Sequence, residues 1–358
     1  MITFIHLYND YSGSPKVLFN AIKAVAKKKK VKLYIGSSGN GVLDKLEIEQ
    51  AKYPYTRSKI KILTFIFYLY SQVALFFGLL LDKSTQKNSI IYINTLLPFG
   101  AAVYGKLTKK KVIYHLHEVS LSPQLLKNIL IWICKITAKE LIYVSKFHKE
   151  ALNIKGPNNR VIYNSINWEN QQNIGGKHFS SFFNITILSS LRDYKGIPEF
   201  LDLSSRFMDN AKFKFHIVPN ANNKEVEEYF KNYRVPKNCE IHQKSNNVIE
   251  HYKYSNLVLN LSRPNEWIET FGLTLVEALS LGIPVIAPSI GGPLEIVKHG
   301  YNGFLINSYD LDQIVKVIYS LEKNTPLYEK MSKNAIASTT MFSHSNFERN
   351  VIKLIETL

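Results

Sequence analysis

Cysteine is nearly missing: the 358 residues hold two, Cys134 and Cys239. Two thiols so far apart set up no disulfide framework, which excludes the disulfide-stapled secreted class and makes a reducing compartment the expectation. Met1 is followed at once by "ITFIHLY", without a basic opening, a long apolar run or a small-residue cleavage site, so the chain is expected to stay inside the cell. No Gly-x-x-x-x-Gly-Lys-Ser/Thr loop, Gly-x-Gly-x-x-Gly fingerprint or Gly-x-Ser-x-Gly elbow occurs, which removes three nucleotide-binding and hydrolase classes. There is no internal repeat, and no low-complexity tract beyond the four lysines 27–30.

Acidic residues are scarce in one half only. Residues 1–165 hold 25 Lys and Arg against 8 Asp and Glu, whereas residues 166–358 hold 20 of each, so the net charge of +17 resides in the first half. Such a half is suited to an anionic lipid surface, a nucleic acid or a phosphorylated substrate, or else it is a lysine-rich solvated face. No nucleic-acid module is present, so no nucleic acid is expected as a partner. The basic half also carries the longest apolar run, Ile62 to Leu81, flanked by Lys59, Lys61, Asp82 and Lys83. By length it fits a spanning helix, a buried core helix or a helix dipping one face into a leaflet. Leu125, Ile129, Trp132 and Ile136 form a second apolar stripe, with Lys127, Lys135 and Lys139 off it, and this favours an anionic membrane surface as partner.

What is abundant is alternation. "ITFIHLY", "VKLYIG", "SIIYIN", "KVIYHLH", "ELIYVS" and "RVIYNSI" (160–166) read as strands separated by helical patterns, the first helix carrying Val17, Leu18, Ala21, Ile22 and Val25 on one face. A polar stretch at 167–181 reads as a linker. A second series follows, with strands "NITILSS", "KFKFHIVP", "NCEIHQK", "NLVLNLS" and "IPVIAP". The expected fold class is α/β: two Rossmann-like βαβ domains with parallel sheets facing each other across a cleft. The domains are 1–166, joined by the C-terminal helix 343–358, and 167–342.

The densest chemistry lies in "ETFGLTLVEALSLGIPVIAP". Glu269 precedes a Thr270-Phe271-Gly272 turn into a helix that Gly282 and Pro284 close. A helix start after glycine presents free backbone N–H groups and the positive end of a dipole to a phosphate. Glu277, one turn inside, is placed to accept from ribose hydroxyls. On spacing alone, two glutamates eight apart serve a helix surface equally well.

The run from Ser262 to Ile306 resembles the donor-binding region of glycosyltransferase family 4, the retaining sugar transferases of GT-B fold. The resemblance rests on Glu269 and Glu277 around Phe271-Gly272, then Ala278, Gly282, Pro284-Val285, Gly291-Gly292, Glu295 and Asn302-Gly303. "SGSPKVL", "HLHEVS", "LIYVSKFHKEAL", "VIYNSI" and "LRDYKG" extend it more thinly over the chain. It implies a nucleotide-sugar donor (a UDP- or GDP-sugar) held by the second domain, with no cofactor and no metal. Glu277 would hold the ribose, Lys195 the diphosphate, and Phe271, Gly272, Leu273 and Thr274 the phosphate or sugar. Glu269 would contact the donor sugar, and His117 would lie near the reacting centre, these two being the catalytic candidates. Gly13 and Ser14 would line the acceptor side. Two positions depart from the family: Ser189 and Ser190 stand where Gly-Arg is usual, leaving Arg192 or Arg263 as the replacement cation, and Ser14 stands for the second glycine of the first loop.

The expected function is therefore transfer of a hexose to a lipid-linked or growing glycan acceptor in cell-surface polysaccharide biosynthesis, by a peripheral protein on the cytoplasmic face of the membrane. A sugar-nucleotide epimerase or phosphorylase on the same fold, and a non-catalytic membrane adaptor, are the alternatives. His115, His117 and Glu118 lie together in sequence, but no further ligand cluster adjoins them, so no metal is expected there.

Overall fold

The computed structural model describes residues 1–85, 90–166, 181–244 and 247–358, so the segment read as a linker lies almost wholly outside the described residues. The chain forms two compact units, Met1–Asn164 with His344–Leu358, and Ser165–Ser343.

The first unit runs β1 (Ile2–His6), α1 (Gly13–Ala26), β2 (Val31–Gly36), β3 (Glu49–Tyr53), α2 (Lys61–Leu81), β4 (Ile90–Asn94), α3 (Phe99–Leu107), β5 (Lys111–Leu116), α4 (Gln124–Thr137), β6 (Glu140–Tyr143), α5 (Lys146–Leu152) and β7 (Asn158–Val161). Every strand pairing is parallel, in the order β3-β2-β1-β4-β5-β6-β7. Alternate side chains of the strands feed two cores. Phe4, Leu33, Tyr92 and Ile113 pack with Val17, Leu18 and Ile22 of α1 and with Phe347, Val351 and Leu354 of the C-terminal helix. Ile5, Ile91, Ile93 and Tyr114 pack with Leu75 and Leu79 of α2, Ala101 and Tyr104 of α3, and Leu130 and Cys134 of α4. The polar sequence EQAKY hid β3, an edge strand only partly buried, and the last strand ends at Val161 rather than at 166.

The long apolar run forms α2. It seats Tyr68, Ser71, Gln72, Leu75 and Leu79 against the unit and leaves Ile62, Ile66, Tyr70, Val73, Phe77 and Leu81 exposed. Its C-terminal end is tied to the sheet: Asp82 accepts from Tyr34 Oη (2.6 Å) and pairs with Lys32 (2.7 Å), which also reaches Glu49. These partners hold the Asp82 carboxyl far below the usual range despite its burial. Strand β1, earlier in the chain than α2, pairs with β4, which follows α2, Ile2 opposite Ile90. A spanning α2 would separate them, so the geometry fits a helix lying along the unit. Helix α3 packs between α2 and α4, and α4 buries Leu130, Ile133, Cys134 and Thr137 while Leu125, Ile129, Trp132 and Ile136 face outward.

The second unit runs β8 (Phe183–Ser189), α6 (Ile197–Ser205), β9 (Phe213–Pro219), α7 (Asn223–Phe230), β10 (Cys239–Ile241), α8 (Ile249–Tyr254), β11 (Leu257–Leu259), α9 (Leu273–Ser280), β12 (Val285–Ala287), α10 (Pro293–Ile296), β13 (Gly303–Leu305), α11 (Leu311–Lys323) and α12 (Thr325–Ser338). Its sheet is again parallel, in the order β10-β9-β8-β11-β12-β13. Phe183, Phe200, Phe207, Phe213 and Phe215 form its aromatic centre, with Phe207 and Phe213 centroids 4.6 Å apart. Helix α13 (His344–Glu356) then completes the first unit, Lys27 bonding Glu348.

Leu75 and Ile66 mark the two faces of α2. Leu75→Ala is expected to lower the unfolding free energy of the first unit by about 2–5 kcal/mol, the cost of a core truncation. Ile66→Ala is expected to change it by less than about 0.5 kcal/mol. Urea denaturation followed by circular dichroism separates the two, and equal effects would contradict this orientation.

Candidate functional site

Each sheet reverses its strand order once, between β1 and β4 and between β8 and β11. Successive crossovers there run to opposite sides, which opens a crevice outside the carboxyl ends of the strands where ligands of such sheets bind. The segments that carry the sequence candidates leave these strands.

In the second unit, β8 is followed by Ser190 and the exposed Arg192, then by a tight turn, Asp193–Lys195. Gly196 ends that turn at φ +86, and a Cβ there would lie 2.2 Å from the Leu261 carbonyl oxygen, so the Lys195-Gly196 pair follows from close backbone approach. Lys195 Nζ lies 2.9 Å from Glu269 Oε2 and 4.7 Å from the Trp267 ring, which stacks on Tyr194 at 5.2 Å. Lys195 and Glu269, 74 residues apart in sequence, thus meet as a half-buried ion pair on an aromatic wall.

The backbone after Glu269 is locked from behind. Gly292 N–H donates to the Glu269 carbonyl (2.8 Å), and a Cβ on Gly292 would lie 2.3 Å from the Thr270 oxygen. At the start of α9 the amides of Leu275 and Val276 turn back to the Gly272 carbonyl, leaving those of Leu273 and Thr274 outside the helix's own bonding. Glu277 is 7% exposed, and its carboxylate accepts from Tyr252 Oη at 2.6 Å, so it is no surface residue of a solvated helix. The amides of Gly282 and Ile283 return to the carbonyls of Leu279 and Ala278, closing α9 where the Gly-x-Pro signal placed its end.

Two expected donor ligands are otherwise engaged. The Arg263 guanidinium donates to Glu199 (2.7 Å) and Glu266 (3.0 Å), bracing the loop after β11 against α6 rather than standing free for a diphosphate. Phe271 turns into the core, 2% exposed, with its ring against Phe342, so only its backbone is left for a ligand. Asn302, within the Asn302-Gly303 motif, is also architectural: it is fully buried, accepts from the Lys298 amide and donates to the Ile296 carbonyl and Ser338.

In the first unit, Asn94 at the end of β4 gathers the reversal point. Its amide donates to the Ser14 carbonyl (3.2 Å) and to His6 Nδ1 (3.2 Å), and its Oδ1 accepts from His117 Nε2 (2.9 Å). The half-buried His117 is thereby oriented at the end of β5, with Ser14 in the first turn of α1. Gly13 is exposed, and a Cβ on it would meet nothing within 4 Å, so crowding does not demand glycine there. His148 donates to the Glu118 carbonyl (3.1 Å), and Tyr92 Oη bonds His115 Nδ1 (2.8 Å). Sequence reasoning missed Asn94, Tyr252 and Trp267, since each acts through partners from distant segments.

Residues 176–338, inside the second unit, match the family model described as glycosyl transferases group 1. Among curated proteins, the chain is 36% identical to sucrose-phosphate synthase 4 of Arabidopsis thaliana over 89 residues, 25% of this chain and 8% of that protein. It is 32% identical to a probable sucrose-phosphate synthase 2 of Craterostigma plantagineum over 102 residues, 28% of this chain. The chain spans only about a tenth of the length of these relatives. Among solved structures, HepE of Anabaena in complex with UDP-glucose superposes with a TM-score of 0.81 at 18% identity, covering 100% of this chain and 99% of that one. WaaG, a glycosyltransferase involved in lipopolysaccharide biosynthesis, gives 0.74 at 13% identity, with 98% of each chain covered. The fold of the chain is that of these proteins, GT-B.

Burial holds the His6 and His148 imidazoles down to about 4 and His115 to about 3, against 6.5 when exposed. Between these values the unfolded chain binds more protons, so the stability these rings contribute is complete above pH 6.5 and lost as the pH falls through 4. Burial pushes the Glu118 carboxyl up to about 7, which acts oppositely: its contribution is complete below about 4.5 and lost as the pH rises through 7. Three rings outweigh one carboxyl, so the melting temperature of the first unit is expected to fall from pH 7 to pH 4, and less steeply in His115→Asn. Scanning calorimetry across that range tests this, and a flat profile would refute it.

Proposed function

We propose that this chain is a glycosyltransferase that moves a hexose from a UDP-sugar to a lipid-linked or growing glycan acceptor, with retention of anomeric configuration, at the inner face of a membrane. The observation that carries this reading is the coincidence, within the residues that match the glycosyl transferases group 1 model, of Lys195, Glu269, the open start of α9 and Glu277 around one strand-order reversal. A departing nucleoside diphosphate gathers negative charge, which Lys195 and the α9 amides are suited to stabilise without a metal ion. Glu277, held by Tyr252, would accept from the ribose hydroxyls, and Glu269 would bond hydroxyls of the donor sugar. The UDP base is favoured by the UDP-glucose complex of HepE. The acceptor would be received by the first unit, where Asn94 presents His117 beside Ser14 and the uncrowded Gly13.

In the free protein Lys195 is neutralised by Glu269, so diphosphate and carboxylate compete for one ammonium group. Binding a donor would transfer Lys195 from Glu269 to phosphate and free Glu269 for the sugar. This exchange gives Glu269 a second role, shielding a cation that would otherwise hold any passing anion.

The membrane part of the proposal draws on the first unit. Its charge surplus accompanies the outward apolar residues of α2 and α4, which flank α3, an arrangement suited to a helix pair resting on an anionic leaflet. Cell-surface glycan synthesis is the role that such an acceptor location would serve.

In a thermal-shift titration, UDP is expected to raise the melting temperature more than GDP or ADP, because a ligand bound only by the folded state stabilises it, by about 2.7 kcal/mol at a hundredfold excess over Kd. Glu277→Gln and Lys195→Met are expected to weaken UDP by tenfold or more, the order of one lost charge-assisted bond. Glu269→Gln is expected to bind UDP at least as tightly while losing transfer. No shift with any nucleotide would sink the donor assignment. The chain is also expected to sediment with anionic liposomes at low salt and to be released by high salt, whereas equal, salt-insensitive sedimentation with neutral liposomes would contradict the electrostatic part.

A further inference from the structure

A second cluster lies on the opposite edge of the second unit's sheet from β13. His216 in β9 and Glu240 in β10 are direct cross-strand partners, and His242 follows two positions after Glu240, so the three side chains share one face. Helix α8 packs over that face with His251 and Tyr254: the Tyr254 ring lies 4.8 Å from His216 and the His251 ring 4.8 Å from His242. One ligand atom from each of His216, Glu240 and His242 can be chosen so that all three lie within 4.8 Å of one another. The spacing in sequence gave no sign of this, since the strands bring together residues 24 positions apart.

The hydrogen bonds fix which atoms point inward. The Asn184 side-chain amide donates to the Tyr254 carbonyl (3.0 Å), which leaves Asn184 Oδ1 as an acceptor facing His216 Nε2 at 3.0 Å. His216 therefore carries its hydrogen on Nε2, and its Nδ1 lone pair faces His242 Nε2 at 3.0 Å. Only one hydrogen fits between those two nitrogens; without it, two imidazole lone pairs converge on one point. A second-layer carbonyl holding the outer N–H of an imidazole is the arrangement that orients a metal-binding histidine. His216 and His242 are largely buried and set in place, whereas Glu240 is two-thirds exposed and free to swing inward.

We propose that His216 Nδ1, His242 Nε2 and a Glu240 carboxylate oxygen are the protein ligands of a borderline divalent cation of the zinc class, which clips β9 to β10 and to the residue that follows it. Two imidazoles and one carboxylate suit zinc rather than magnesium or calcium, which take oxygen donors. Tetrahedral bonds of roughly 2.0 Å place ligand atoms roughly 3.3 Å apart, so the two nitrogens need only spread by a few tenths of an ångström while the carboxylate closes in. The fourth position falls to water or to Tyr254 Oη, 3.2 Å from His242 Nε2 and 2.7 Å from His251 Nδ1. The ion takes the place of the shared hydrogen, which passes to His242 Nδ1, so both imidazoles bind as neutral ligands. This site is separate from the Lys195–Glu269 pair and does not rest on the donor assignment.

The test is a Co2+ titration of the tag-free full chain after chelator treatment and desalting. Visible ligand-field bands saturating at one equivalent, bleached by one equivalent of Zn2+, are expected, together with a rise in melting temperature on adding Zn2+. Glu240→Gln, at an exposed position that leaves folding intact, and His242→Asn are each expected to weaken Co2+ by more than the roughly tenfold cost of losing an outer-layer partner. His299→Asn, an exposed histidine elsewhere in the unit, is expected to change nothing. Absence of ligand-field bands, or bands that survive unchanged in Glu240→Gln and His242→Asn, would overturn the proposal and leave a plain hydrogen-bonded histidine pair.

Discussion

Parallel pairing of β8 with β11, and of β1 with β4, is the constraint on which both candidate sites depend. A parallel neighbour cannot be reached by a tight turn, so each strand must send its chain out through a helix and back. Where the order reverses, the two outgoing segments diverge and their first residues flank a gap. Ser190–Gly196 and Asn260–Phe271 flank one such gap, and Asn9–Ser14 and Thr95 another. The chemistry then depends on how firmly those segments are held. Gly196 against the Leu261 carbonyl, Gly292 against Glu269 and Thr270, and Arg263 between Glu199 and Glu266 are three such restraints in the second unit.

The strands were legible because both faces of each sheet are covered, and continuous runs such as IIYIN and KVIYHL are what that burial requires. The edge strand β3 was not, since an edge needs fewer apolar residues and EQAKY carries only one fully buried side chain, Tyr53. The glutamate motif was legible because its glycines and helix signals are local. What was not legible was function divided between residues far apart: Tyr252 for Glu277, Trp267 for Lys195, and Asn94 for His117. Arg263, named as a replacement for a missing family arginine, and Phe271 also hold structure: the Glu199 and Glu266 carboxylates engage the guanidinium, and the Phe342 ring packs against the phenyl group.

The two units treat their histidines alike. In each, an imidazole carried by the parallel sheet is oriented by an asparagine: His117, just after β5, by Asn94, and His216, midway along β9, by Asn184. An amide side chain offers a donor and an acceptor from one rigid plane, so a single residue fixes a neighbouring ring's tautomer and its tilt together. His117 thereby presents a defined edge to the reversal point, and His216 presents Nδ1 to His242.

The C-terminal helix α13 belongs to the first unit, although residues 165–343 build the second. On a ribosome the second unit has all of its strands before Phe347, Val351 and Leu354 emerge, whereas the core under α1 lacks one wall until then. The unit whose strands are made earlier is therefore the later to be completed, and during that interval its core stays unfinished while its lysines and outward apolar helices are already present, the period in which chaperone capture or premature association is most consequential.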